Sequence, residues 1–131
     1  MSIRVDRVLG YACDINGIDY DTLSKAVDGE FKNLGIYSSY DNEDIENKIA
    51  VFHDGLDGEY TYLIFVQFFD NDCGDFYESE KGDIYDEVNK FLKDTKIPNN
   101  IKDSMMEKLD VLGVDKSKVD NTRLMMLRHF H

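Results

Sequence analysis

Residues 60–69 read Tyr-Thr-Tyr-Leu-Ile-Phe-Val-Gln-Phe-Phe and contain the longest apolar run of the 131-residue chain. Period-two alternation puts Tyr62, Ile64, Val66 and Phe68 on one side and Leu63, Phe65 and Phe69 on the other. Aromatic and β-branched residues at this density predict a strand, and a strand apolar on both faces belongs inside a sheet or at an interface. The run is far too short to cross a bilayer.

The neighbours of this strand follow from the segments around it. Asp54-Gly55-Leu56-Asp57-Gly58 supplies the Gly and Asp residues of a chain reversal, so Lys48 to His53 pairs with it as a hairpin. Ile3 to Ile15 alternates as a half-buried strand, with Arg7 and Val8 breaking the pattern. Asn16-Gly17 turns the chain into a helix carrying Tyr20, Leu23, Val27, Phe31 and Leu34 and ended by Gly35. Gly29 inside that helix costs roughly 1 kcal/mol against alanine. A second helix is expected over Ile84, Tyr85, Val88, Phe91 and Leu92, with Asp83 as its cap. Beyond Pro98 a third runs from Asn99 or Asn100 to Leu112, closed by Gly113 and Val114, and Arg123 to His131 ends the chain as a strand. The order β, α, β, β, α, α, β predicts one α+β domain over residues 1–131. Its sheet is four-stranded and mostly antiparallel, ferredoxin-like (split βαβ), with an extra helix in the second crossover.

Charge is concentrated in the middle of the chain. The formal net charge is −12, and residues 41–87 hold fifteen acidic against two basic side chains, a net of −13, whereas residues 88–131 carry +3. Such a surface opposes nucleic acid and anionic membranes, both of which need a basic footprint. A basic protein is its natural complement. In the expected topology the segment before the second strand and the segment after the third lie at one end of the sheet. Asp41, Glu43, Asp44 and Glu46 would then meet Asp70, Asp72, Asp75, Glu78 and Glu80 on one rim, with Tyr77 among them and Arg128, His129 and His131 close by. Tyrosine beside acid suits an interface for a basic partner.

Other chemistry is poorly supported. Counting from Asp70, the run Asp70-Asn71-Asp72-Cys73-Gly74-Asp75 puts glycine fifth and lysine twelfth, which breaks calcium-loop spacing. His129 and His131 share one face of a strand but form only half of a metal site. Cys73 sits among acids that disfavour its thiolate, and no cofactor box is visible. Cys13 and Cys73 read as free thiols of a cytoplasmic protein, and no leader is recognisable at the amino terminus. No cofactor or metal is expected. The sequence therefore predicts a small non-enzymatic binding or inhibitor protein that occludes a basic surface, comparable in size and charge to immunity proteins and phage-encoded inhibitors without a shared motif. The alternative is a small-molecule or metal-binding regulatory domain.

Overall fold

The computed structural model describes residues 5–40, 45–54, 60–70, 92 and 95–130. Five strands form one mixed sheet: β1 (Val5–Asp14), β2 (Ile36–Ser38), β3 (Ile49–His53), β4 (Thr61–Asp70) and β5 (Arg123–Phe130), in the order β2-β3-β4-β1-β5. β4 is internal, as its two apolar faces require, and pairs antiparallel with both β3 and β1, while β5 pairs antiparallel with β1. The four-stranded ferredoxin-like expectation is corrected on two counts: β1 runs antiparallel to β4, where a split βαβ unit needs the two parallel, and a fifth strand, β2, lies parallel to β3 at the edge. At three residues β2 is too short to display a period. The helix expected over residues 84–92 lies outside the described residues apart from Leu92.

Two apolar clusters occupy the two faces of the sheet. On the first, Tyr11, Cys13, Ile36, Val51 and Leu63 pack under helix α1 (Tyr20–Val27) and helix α2 (Asn99–Val111), through Ala26, Met105 and Leu109. The second holds Val8, Ala12, Ala50, Phe52, Ile64, Val66, Met125 and Leu127. Strand β1 is thus buried on both sides rather than half-buried, and Val8, which disturbs the alternation in the sequence, belongs to the second core.

A sharp bend creates that second core. The β1–β4 register slips between Leu9 and Gly10, where Leu9 faces Phe68 and Gly10 faces Val66, leaving Gln67 as the bulged residue. Such a bulge bends its strand and reverses the inside and outside positions beyond it. Phe69 therefore turns into the second core while Phe68 is 45% exposed, opposite to strict alternation. Phe52 stands opposite Tyr62, seven residues before Phe69, which is about 23 Å of extended strand. Yet the Phe52 and Phe69 rings are 6.2 Å apart. The far ends of β1, β4 and β5 must fold back over the sheet and enclose its second face.

Glycine punctuation explains the helical layer. Gly29 adopts φ 80° and ends α1 at Val27, so the single helix expected up to Gly35 is divided into α1 and a short 3-10 helix, Lys32–Leu34. Left-handed backbone at low steric cost is what glycine offers over other residues. Helix α2 ends as its sequence indicates: Gly113 takes φ 69°, its N–H donates to Asp110 O at 3.1 Å, and Val114 N–H donates to Leu109 O at 2.9 Å. That pair of bonds is a Schellman cap.

Candidate functional site

The bend brings a polar group to the place where the two edges of the sheet meet. Ser39 follows edge strand β2 and His129 lies on the opposite edge strand β5, but Ser39 Oγ and His129 Nε2 are 3.1 Å apart. Tyr60 OH lies 2.7 Å from Nδ1 of the same imidazole. Phe52 packs against the ring edge-to-face at 5.3 Å, and Tyr40 approaches at 5.5 Å. His129, Ser39 and Tyr60 are all buried. A neutral imidazole donates from one nitrogen and accepts at the other, and either hydroxyl can take either role, so both tautomers fit. The alternation Met125, Leu127, His129, all buried, is the signal in the sequence that places this imidazole inside.

Two buried carboxylates border the group. Asp6 stands directly opposite His129 in the β1–β5 register, and Asp54 follows β3. Partial burial, followed by the negative charge of Asp54, raises the Tyr40 phenol above its ordinary ionisation range, although the residue remains 38% exposed. The sign for stability follows. A group with a raised folded pKa contributes stability below its unfolded pKa and loses it as pH rises through the folded value. Stability is therefore expected to fall across the alkaline range above ordinary tyrosine ionisation. In an ultraviolet phenolate titration, Asp54→Asn should shift the Tyr40 step downward, and an unmoved step would refute the coupling.

A serine hydroxyl against a histidine nitrogen also has the spacing of a nucleophile and its base. Here both partners are enclosed, and the contact links chain from the two edges of the sheet. The histidine expected at an exposed rim is instead a core residue whose two ring nitrogens both face hydroxyl groups, and His131 lies outside the described residues. Among the described residues no three His, Cys, Asp or Glu side chains gather as a metal-binding group. Cys13 is a free, buried thiol, pushed up in pKa chiefly by burial, with Sγ 3.4 Å from Lys118 O.

Of the acidic positions singled out in the sequence, Asp41, Glu43, Asp44, Asp72, Asp75, Tyr77, Glu78 and Glu80 lie outside the described residues. Glu46 is described: half-buried, it accepts a hydrogen bond from Phe69 N at 3.4 Å. Asn47 N–H donates to Val66 O at 2.6 Å, and Val66 N–H donates to Lys48 O at 2.9 Å. The chain following the first acidic stretch is thereby fastened to the end of β4, where Asp70 stands opposite Arg7. Arg128, also opposite Arg7, reaches the same end. A groove of about 380 Å³ lies elsewhere, at the start of α2, where Lys102 pairs with Asp120 at 3.3 Å.

No described helix is long and apolar enough to cross a membrane. No family model, curated protein or solved structure matches the chain.

Proposed function

We propose that the chain is a non-enzymatic binding protein whose acidic middle segment docks onto a basic surface of a partner protein and occludes it. The observation that carries this reading is the Glu46–Phe69 hydrogen bond, which fastens the end of one acidic stretch to the root of the other. Glu46 at the end of the first stretch and Asp70 at the start of the second flank the same end of β4, which supports reading the two stretches as one field. A net of −13 within residues 41–87, on a chain of −12 overall, makes that field the dominant electrostatic feature. Fields of this kind accelerate the encounter with an oppositely charged partner and weaken with salt. The reading is of a cytoplasmic protein, in keeping with the free thiol of Cys13.

The test is the triple reversal Asp72→Lys, Asp75→Lys, Glu78→Lys, measured against a purified basic protein that co-isolates with the chain. Association is expected to slow about tenfold at low ionic strength and to lose much of its salt dependence, because such charges act on the rate of encounter. Circular dichroism should remain that of the parent. An unchanged association rate at low salt would remove the acidic segment from the interface.

A further inference from the structure

The turn between β1 and α1 combines three features that bear on the chemistry of one side chain. Asn16 precedes Gly17, and no other asparagine in the chain precedes a glycine. Both residues are exposed, Gly17 has φ 94°, and a Cβ placed on it would meet nothing within 4 Å. The third feature comes from a residue distant in sequence: Lys118 Nζ donates to the backbone carbonyl of Asn16 at 3.1 Å. That carbonyl belongs to the peptide group that contains the Gly17 N–H. An ammonium on the oxygen draws electron density from the peptide, which makes the Gly17 N–H more acidic and its conjugate base easier to form.

We propose that Asn16-Gly17 is a self-modification site at which the folded chain converts Asn16 to aspartate and isoaspartate through a succinimide, with Lys118 promoting ring closure. Hydroxide removes the Gly17 amide proton, and the nitrogen lone pair attacks Asn16 Cγ. The Cγ–Nδ2 bond breaks, and ammonia leaves with a proton from water. Water then adds to either carbonyl of the imide. Opening at Cγ restores the normal main chain with an aspartate, whereas opening at the backbone carbonyl passes the main chain through Cβ. No redox partner is needed, and the only co-reactant is water. Glycine at position 17 leaves the attacking nitrogen unshielded by a side chain.

The fold both restrains and assists this step. Asp14 Oδ1 accepts from Asn16 N at 2.8 Å, and Ile18 N–H donates to Ile15 O at 3.1 Å, closing the turn around the two residues. Ring closure requires this exposed turn to open. The Lys118 contact, by contrast, exists only when the 3-10 helix Lys116–Asn121 is folded against the turn. The product carries a new carboxylate or an extra main-chain carbon where β1 hands over to α1, and the net charge falls by one.

The purified full-length chain, incubated in mildly alkaline buffer, tests the proposal by peptide mass mapping, heavy-oxygen incorporation from labelled water and isoaspartyl-specific methyl labelling. Asn16 is expected to convert ahead of the other asparagines. Lys118→Gln should slow it several-fold under native conditions, while Lys118→Arg, which retains a cation, should stay close to the parent rate. In concentrated urea all three chains should react alike, and circular dichroism confirms that each is folded in buffer. Conversion of Asn16 no faster than that of the other asparagines, or a native rate unaffected by Lys118→Gln, would overturn the proposal.

Discussion

Replacing Gly10 with alanine is expected to destabilise the protein by about 3 kcal/mol, the upper part of the range for forcing extra volume into a packed interior. The new Cβ would lie 2.3 Å from the Phe65 carbonyl oxygen and 2.6 Å from Ile64 Cγ2. One of these obstacles is backbone within the β1–β4 ladder, so it cannot swing aside as the end of a side chain can. Relief requires the two strands to separate at the bulge, which is where the sheet turns back on itself. Urea unfolding should show a lower midpoint with a similar denaturant slope. Gly113→Ala provides the contrast: φ is 69°, but a Cβ there meets nothing within 4 Å, so the cost should be near 1 kcal/mol. If Gly10→Ala proves no more harmful than Gly113→Ala, the bend does not depend on close approach at Gly10.

That bend also marks where the sequence stops being legible. The Tyr60 to Phe69 run identifies an internal strand because its composition alone demands burial on both sides, and its partner β3 follows from the intervening turn, whereas the antiparallel direction of β1 differs from the parallel pair that a split βαβ order implies. Alternation then fails at Gln67, since a bulge exchanges faces without any change in composition, and Phe68 and Phe69 are read the wrong way round. Gly10 looks like an unremarkable small residue on the polar side of a strand until β4 is laid across it. The helices show the same division. Gly113 with Val114 reads correctly because a Schellman cap is local, whereas Gly29 could equally be tolerated within a helix or end one, and in the fold its positive φ goes with the second.

The candidate site divides along similar lines. The acidic stretches are visible as composition, and Glu46 shows how their ends are tied to the sheet. The Ser39–His129–Tyr60 group is invisible in one dimension, because its members are 90 and 69 residues apart and meet only after the sheet curls. A histidine near the end of a chain reads as a surface group or half of a metal site. The alternation with Met125 and Leu127 marks it as inward-facing, but the groups that cover it come from a closure that no local pattern encodes.

Substitution of His129 tests that closure most directly. His129→Leu keeps an apolar side chain in the enclosed space but removes both hydrogen-bonding nitrogens, so Ser39 Oγ and Tyr60 OH each lose a partner in a region without water access. Leaving a buried hydroxyl without its partner costs about 1–3 kcal/mol, so the loss should total about 3 kcal/mol, with shape mismatch adding to it. The two hydroxyls belong to chain beside β3, on one side of the fold-back, and the imidazole to the returning end of β5, so the effect is expected at the closure itself. Amide hydrogen exchange should accelerate at β5 and around Ser39 before the β1–β4 core is affected. Deleting both hydroxyls as well, in Ser39→Ala/Tyr60→Phe/His129→Leu, should recover a substantial part of the loss, because removing all members of a buried polar group is cheaper than removing one. A coupling energy near zero between His129→Leu and Ser39→Ala would show that the edges are held by apolar packing around Phe52 and Phe69 alone.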